Sequence, residues 1–127
     1  MLTVKDSQDG FAGKTGTIWT IKSDCSFEVA RFRGDQVSEP HLKGRLTPEQ
    51  QSKLGAVLST AAIETLPARV GEPPPVNAHQ ISIDYDGKTA VLNLGAGEAA
   101  ALQGASQGPA QRLLEITRTV KGVTGNE

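Results

Sequence analysis

Large apolar side chains lie among polar ones in the segments 17–22 and 26–33, which predicts two β-strands. Both segments are rich in branched and aromatic residues, which favour strands. A connection over 23–25 gives the better hairpin register. That register places large apolar side chains on one face, pairing Ile21 with Phe27 and Trp19 with Val29. Cys25 then occupies a loop position with positive φ, where glycine is usual, and we expect mild strain there.

A second hairpin is predicted over 80–85 and 88–94, joined by Asp86 and Gly87. This dipeptide favours a tight turn because both of its residues must accept positive φ. The turn fixes a register with one apolar face, pairing Ile83 with Ala90 and Ile81 with Leu92.

The other segments before the first helix lack a clear period. A short apolar run at 2–4 precedes the stretch 5–16, which is rich in Gly, Asp and Ser and is predicted to be a loop. The segment 34–45 is predicted to be a connection with room for a short edge strand.

Two helices are predicted from capping and period. The first begins with Thr47 as N-cap, Pro48 at the first helical position and Gln50 in the capping-box position, and it ends near 60–62. The second begins at Gly108 and Pro109 and ends near Gly122. Each has an apolar stripe at helical spacing: Leu54, Val57, Leu58 and Ala61 in the first, and Leu113, Ile116 and Val120 in the second. The segments 67–78 and 95–108 are predicted to be loops.

The order of these elements, with hairpins rather than crossovers, indicates an α+β fold. We expect an antiparallel sheet of about four to five strands with two helices packed on one face. The 127 residues fit a single domain, 1–127.

Composition narrows the function classes. Hydrophobic residues make up 37% of the chain, and no apolar run approaches the length of a membrane span, so we expect a soluble monomer without a membrane partner. The formal charge of -1 lacks the basic excess that binding to nucleic acid requires. Cys25 is the only cysteine, which excludes an internal disulfide and a cysteine-based zinc site. No export signal is present, so the expected location is the cytoplasm unless a leader was removed before Met1.

Short motifs for chemistry fail on their context. Gly13, Lys14 and Thr15 match the end of a phosphate-binding loop, but a strand follows them and not a helix. The segment 95–100 matches a relaxed dinucleotide fingerprint, but it follows the return arm of a hairpin and not the first strand of a parallel βαβ unit. Arg33-Gly34-Asp35 spells an adhesion tripeptide and is predicted to be a charged turn.

The titratable groups do not assemble a catalytic or metal motif. His41 and His79 lack zinc-binding spacing, and His79 is expected to be a half-buried, hydrogen-bonded ring. Asp84 and Asp86 are predicted to be solvated. We therefore expect no catalytic residue, no metal and no cofactor.

A wider pattern carries a family resemblance. It consists of Gly10-Phe11-Ala12-Gly13 before a hairpin, Leu46-Thr47-Pro48-Glu49-Gln50 at a helix start, Leu66-Pro67 after that helix, and Ile81-Ser82-Ile83-Asp84-Tyr85-Asp86-Gly87 beyond a proline-rich loop. In this pattern the chain resembles the emfourin family, small bacterial proteins that inhibit thermolysin-like (M4) zinc metalloproteases. The resemblance implies an inhibitor that binds one such protease stoichiometrically through surface loops.

Two segments suit such contacts. Gly10, Phe11, Ala12 and Gly13 form the first, in which Phe11 is an aromatic side chain among small residues. Pro73, Pro74 and Pro75 stiffen the second. Phe11 has two possible roles: an anchor for an apolar pocket of the protease, or a plug that folds back over the sheet. The alternative function is a non-enzymatic binding or structural module with an unknown protein partner.

Overall fold

The computed structural model of the chain describes residues 1–10, 13–62, 65–66, 68–70, 79–93 and 107–125. Over these residues the chain forms eight strands and two helices. In chain order they are β1 (Leu2–Gly10), β2 (Gly13–Ile21), β3 (Ser26–Arg33), β4 (Gln36–Val37), β5 (Leu42–Arg45), α1 (Pro48–Ala61), β6 (Arg69–Val70), β7 (His79–Tyr85), β8 (Lys88–Asn93) and α2 (Gln107–Thr124).

The strands form one sheet in the order β4-β3-β2-β1-β7-β8-β6, and β5 pairs with β3 beside this path. All pairs are antiparallel except that of β6 with β8, which is parallel. The α+β class and the antiparallel sheet are therefore confirmed. The sheet has more strands than predicted because the segment 34–45 forms β4 and β5 and the segment 67–78 contributes β6, while the segment 5–16 lengthens β1 and β2.

The prediction of a loop over 5–16 is wrong for the residues that the structure describes there. β1 and β2 form one long hairpin whose register runs from Leu2 opposite Ile21 to Gly10 opposite Gly13. β1 also pairs with β7, so its backbone is hydrogen-bonded on both sides. Pairing with two neighbours overrides the weak strand propensity of Gly, Asp and Ser.

Both predicted hairpin registers are confirmed. Ile21 lies opposite Phe27 and Trp19 opposite Val29, while Ile83 lies opposite Ala90 and Ile81 opposite Leu92. Cys25 has the expected positive φ, at 68°, and the turn residues Asp86 and Gly87 have φ of 49° and 82°.

α1 begins and ends as predicted. The Thr47 hydroxyl accepts a hydrogen bond from the Gln50 amide at 3.2 Å, and the Gln50 side chain accepts one from the Thr47 amide at 2.9 Å. The helix ends at Ala61, and Ala62 is left-handed with φ of 47°.

α2 extends beyond its predicted end. Gly122 lies within the helix, and the left-handed residue after it is Gly125, with φ of 72°. A glycine ends a helix only where the chain takes positive φ, and Gly125 fills that position here.

The core lies between one face of the sheet and the two helices. Ile81 and Ile83 are 2% and 0% exposed, as the second hairpin required. The predicted stripes supply the helical side of this core, with Leu54, Ala61, Leu113, Ile116 and Val120 buried and Val57 and Leu58 half-buried against it. Neither of these helices is long and apolar enough to cross a membrane.

Candidate functional site

The β1–β2 hairpin extends past its neighbours at one end of the sheet. Pairing with β7 stops at Gln8 opposite His79, and pairing with β3 stops at Thr15 opposite Arg33. Two further register pairs, Asp9 with Lys14 and Gly10 with Gly13, lie beyond these limits. We call Gly10, Gly13 and the two residues that they flank the hairpin tip.

The candidate residues at the hairpin tip are divided by what the structure describes. Gly10 and Gly13 are the last register pair, and Gly13 has φ of 91°, which glycine adopts without strain. Phe11 and Ala12 lie outside the described residues. The paired strands therefore place Gly10 and Gly13 at the end of the sheet.

The proline segment is bounded by strands that point to that same end. Pro73, Pro74 and Pro75 lie outside the described residues. β6 runs parallel to β8, and its last residue, Val70, lies opposite Leu92. Because β8 runs toward the end of the sheet that carries the hairpin tip, β6 runs toward that end as well. The chain returns at His79, which lies opposite Gln8 on β1. Val70 and His79, the described residues on either side of 71–78, thus both lie toward the end of the sheet that carries the tip.

A cluster of charged side chains joins three elements below the hairpin tip. The Asp6 carboxylate lies 2.7 Å from Nε2 of His79 on β7 and 3.4 Å from Nζ of Lys121 on α2. Lys121 also lies over the ring of Trp19, 5.5 Å from its centroid. The side chains of Asp6, His79 and Lys121 are between 22% and 33% exposed. The base of the hairpin is therefore tied to β7 and to α2.

Sequence reasoning found only part of this cluster. His79 is half-buried and hydrogen-bonded, as predicted. The role of Asp6 was missed because its segment was assigned to a loop. A signal was present, since Asp6 shares the alternation of Leu2 and Val4 and therefore lies on their face of the strand.

Several of the remaining sequence motifs lie in strands or turns that the structure describes. Lys14 and Thr15 belong to strand β2, away from any helix start described here. Arg33, Gly34 and Asp35 are exposed at the turn from β3 to β4, as expected for a charged turn. Asp86 lies 3.6 Å from the amino terminus. The segment 95–100 lies outside the described residues.

The described residues hold no group of three metal-ligating His, Cys, Asp or Glu side chains. Cys25 is a half-buried free thiol. The pKa of Asp24 is lowered because the Ser26 hydroxyl, at 2.6 Å, and the Ser26 amide, at 3.0 Å, donate hydrogen bonds to its carboxylate. These bonds fix the β2–β3 turn, so the shifted pKa has a structural cause.

An open cleft of about 230 Å³ lies at the opposite end of the sheet, between α1 and the β2–β3 turn. Its apolar walls come from strands and helix together: Leu2, Ile21, Leu46, Leu54 and Leu58. Sequence patterns gave no indication of it, because its lining combines residues that are distant along the chain. The cleft is large enough for one apolar side chain.

The structure places Gly10, Gly13, Val70 and His79 toward one end of the sheet. No protein-family model matches this chain, and no curated protein matches it.

Proposed function

We propose that the protein inhibits a thermolysin-like zinc metalloprotease by binding it stoichiometrically through the hairpin tip, with the proline segment beside it. It acts by binding and not by catalysis. One observation supports this function best: both candidate segments are held by strands that end at the same end of the sheet. Two segments on one side of the molecule can contact one partner together.

The hairpin suits an inhibitory role because its strands are held firmly. β1 is paired on both sides, and Asp6 ties it to β7 and α2. A contact segment held in this way loses little conformational entropy when it binds. The flanking glycines leave room for a partner's backbone to come close.

Phe11 supplies the apolar anchor in this proposal. Thermolysin-like enzymes favour a bulky apolar side chain at one subsite, and a buried aromatic anchor commonly contributes a large share of binding energy. The three prolines stiffen the neighbouring segment and thereby reduce its ordering cost.

Titration of thermolysin with the purified protein tests the proposal. We expect enzyme activity to fall to near zero at an equimolar ratio. Absence of inhibition at large excess, against thermolysin and several other M4 enzymes, would reject the proposal in favour of a binding or structural module with another protein partner.

Phe11→Ala tests the anchor. We expect inhibition to weaken at least about 30-fold, which corresponds to a loss of about 2 kcal/mol of binding energy, while the unfolding temperature stays within about 2 °C of the wild type. Phe27→Ala is the matched control, because Phe27 is 9% exposed and belongs to the core, so its loss lowers stability strongly. A large fall in the unfolding temperature of Phe11→Ala would instead identify Phe11 as a plug over the sheet.

A further inference from the structure

Two exposed arginines lie beside the hairpin tip on the helix-facing side of the sheet. Arg31 and Arg33 follow Phe27 and Val29 in the alternation of β3 and therefore share their face. Arg31 lies opposite Thr17, and Arg33 lies opposite Thr15 in the last row that β2 shares with β3. We call Thr15, Thr17, Arg31 and Arg33 the basic shelf.

No acidic side chain of the described residues neutralises the two arginines. Neither guanidinium forms an ion pair within the described residues. Asp6 is next to Thr17 in the same row, but its two oxygens contact His79 and Lys121. Asp35, on the adjoining turn, is exposed and forms no ion pair within the same set of residues. The shelf therefore presents uncompensated positive charge to solvent.

The position of the basic shelf determines what it can meet. A protein that contacts the hairpin tip from the helix-facing side also faces Arg33, two rows from the Gly10–Gly13 pair, and Arg31 behind it. The guanidinium group can donate two parallel hydrogen bonds to a carboxylate or a phosphate. A neutral surface does not offer such a pair of acceptors. The partner surface beside the tip is therefore expected to carry Asp or Glu side chains.

We propose that the basic shelf binds carboxylates on the surface of the protein that the hairpin tip engages; this rests on the proposed function. A protein surface fits better than a nucleic acid, because the chain as a whole carries a charge of -1 and nucleic-acid binding draws on many phosphate contacts. Exposed charges at the edge of an interface act mainly on the rate of association and on its dependence on salt.

The test measures association rate constants from inhibition progress curves at 50 and 300 mM NaCl. The double variant Arg31→Gln with Arg33→Gln is compared with Lys43→Gln with Lys53→Gln, which removes the same charge from exposed positions on β5 and α1. At 50 mM NaCl we expect the arginine variant to associate about fivefold more slowly than wild type, and the lysine variant to stay within about twofold. At 300 mM NaCl the difference should shrink. Equal rates for the two variants would overturn the proposal.

A charge-preserving variant controls for folding. Arg31→Lys with Arg33→Lys should recover most of the association rate, and all three double variants should unfold at the wild-type temperature. If Arg31→Gln with Arg33→Gln unfolds at a lower temperature than the wild type, Arg31→Lys with Arg33→Lys takes its place in the comparison. The association rate of that variant must then depend on salt as the rate of the wild type does.

A second probe separates failure of the basic shelf from failure of the proposed function. An eight-residue glutamate peptide is titrated into labelled protein, and amide shifts are followed by NMR. We expect shifts at Thr15, Thr17, Arg31 and Arg33. These shifts should be absent in Arg31→Gln with Arg33→Gln and present in Lys43→Gln with Lys53→Gln. Such shifts without protease inhibition would reject the proposed function and support carboxylate binding by the basic shelf. Protease inhibition without such shifts would support the proposed function and reject carboxylate binding by the basic shelf. Tighter binding of a DNA duplex than of the peptide at the same residues would overturn the acidic-protein partner.

Discussion

Three non-glycine residues in the described part of the chain have left-handed backbone conformations, and the cost differs with the side chain. They are Cys25, Ala62 and Asp86, with φ of 68°, 47° and 49°. Aspartate tolerates this conformation better than alanine, because its short polar side chain can hydrogen-bond locally. Ala62 has no such compensation, although its backbone amide donates to the Leu58 carbonyl at 3.2 Å and closes α1. Ala62 is therefore a residue where stability can be gained.

Ala62→Gly should raise the free energy of unfolding by about 0.5–1 kcal/mol, because glycine adopts the left-handed C-cap without strain. Ala56→Gly is the matched control. Ala56 is exposed within the same helix, where glycine costs about 1 kcal/mol. Urea unfolding curves of the three proteins measure both effects, and a less stable Ala62→Gly variant would contradict the argument.

At the scale of elements, local chemistry accounts for what could be predicted. The capping box of α1 and the turn at Asp86 and Gly87 each depend on residues within a few positions of one another. The hairpin registers followed from the turn lengths. Gly122 was assigned as a helix end because a glycine alone does not reveal which backbone angle it takes, and Gly125 holds that conformation instead.

The strands that were missed depend on distant partners. β1 pairs with β7 as well as with β2, and β6 pairs with β8, so neither segment needs a strong pattern of its own. The candidate segments at 10–13 and 73–75 were identified from residue types, but only these pairings place Gly10, Gly13 and His79 at one end of the sheet. The charged cluster at Asp6 and the basic shelf were hidden for the same reason.

Gly16→Ala tests how closely β2 approaches its neighbours. A Cβ at Gly16 would overlap the carbonyl oxygen of Asp6 and lie 2.8 Å from the ring of Phe32. We expect a loss of about 3 kcal/mol of unfolding free energy, because the backbone of β1 would have to shift. Gly55→Ala is the control: this helical glycine has no described atom within 4 Å of an added Cβ, and the substitution should stabilise by about 1 kcal/mol. Unfolding curves should therefore shift in opposite directions.

At the scale of the whole molecule, Asp6 connects the centre of the sheet to its second helix. Its carboxylate contacts groups from β7 and α2, and both partners are part-buried. Packing of the core holds these layers together more strongly, but this contact also fixes their relative position near the hairpin tip.

Asp6→Asn should lower the free energy of unfolding by about 1 kcal/mol, a value reduced for the partial exposure of the cluster. Asp84→Asn, on an exposed site of β7, should change it by less than about 0.5 kcal/mol. A double-mutant cycle with Lys121→Gln gives the coupling between Asp6 and Lys121. Zero coupling would show that Lys121 does not stabilise the carboxylate.

The central position of β1 has a consequence for how the protein folds. β2 follows β1 directly, whereas Ser7 and Gln80, which meet across β1 and β7, are 73 residues apart in sequence. Closing that distance costs chain entropy before apolar contacts compensate for it, so docking of the second hairpin is expected to be the slow event. Until it occurs, one side of β1 exposes unpaired amides and carbonyls, and this is where a refolding chain would pair with another copy and aggregate.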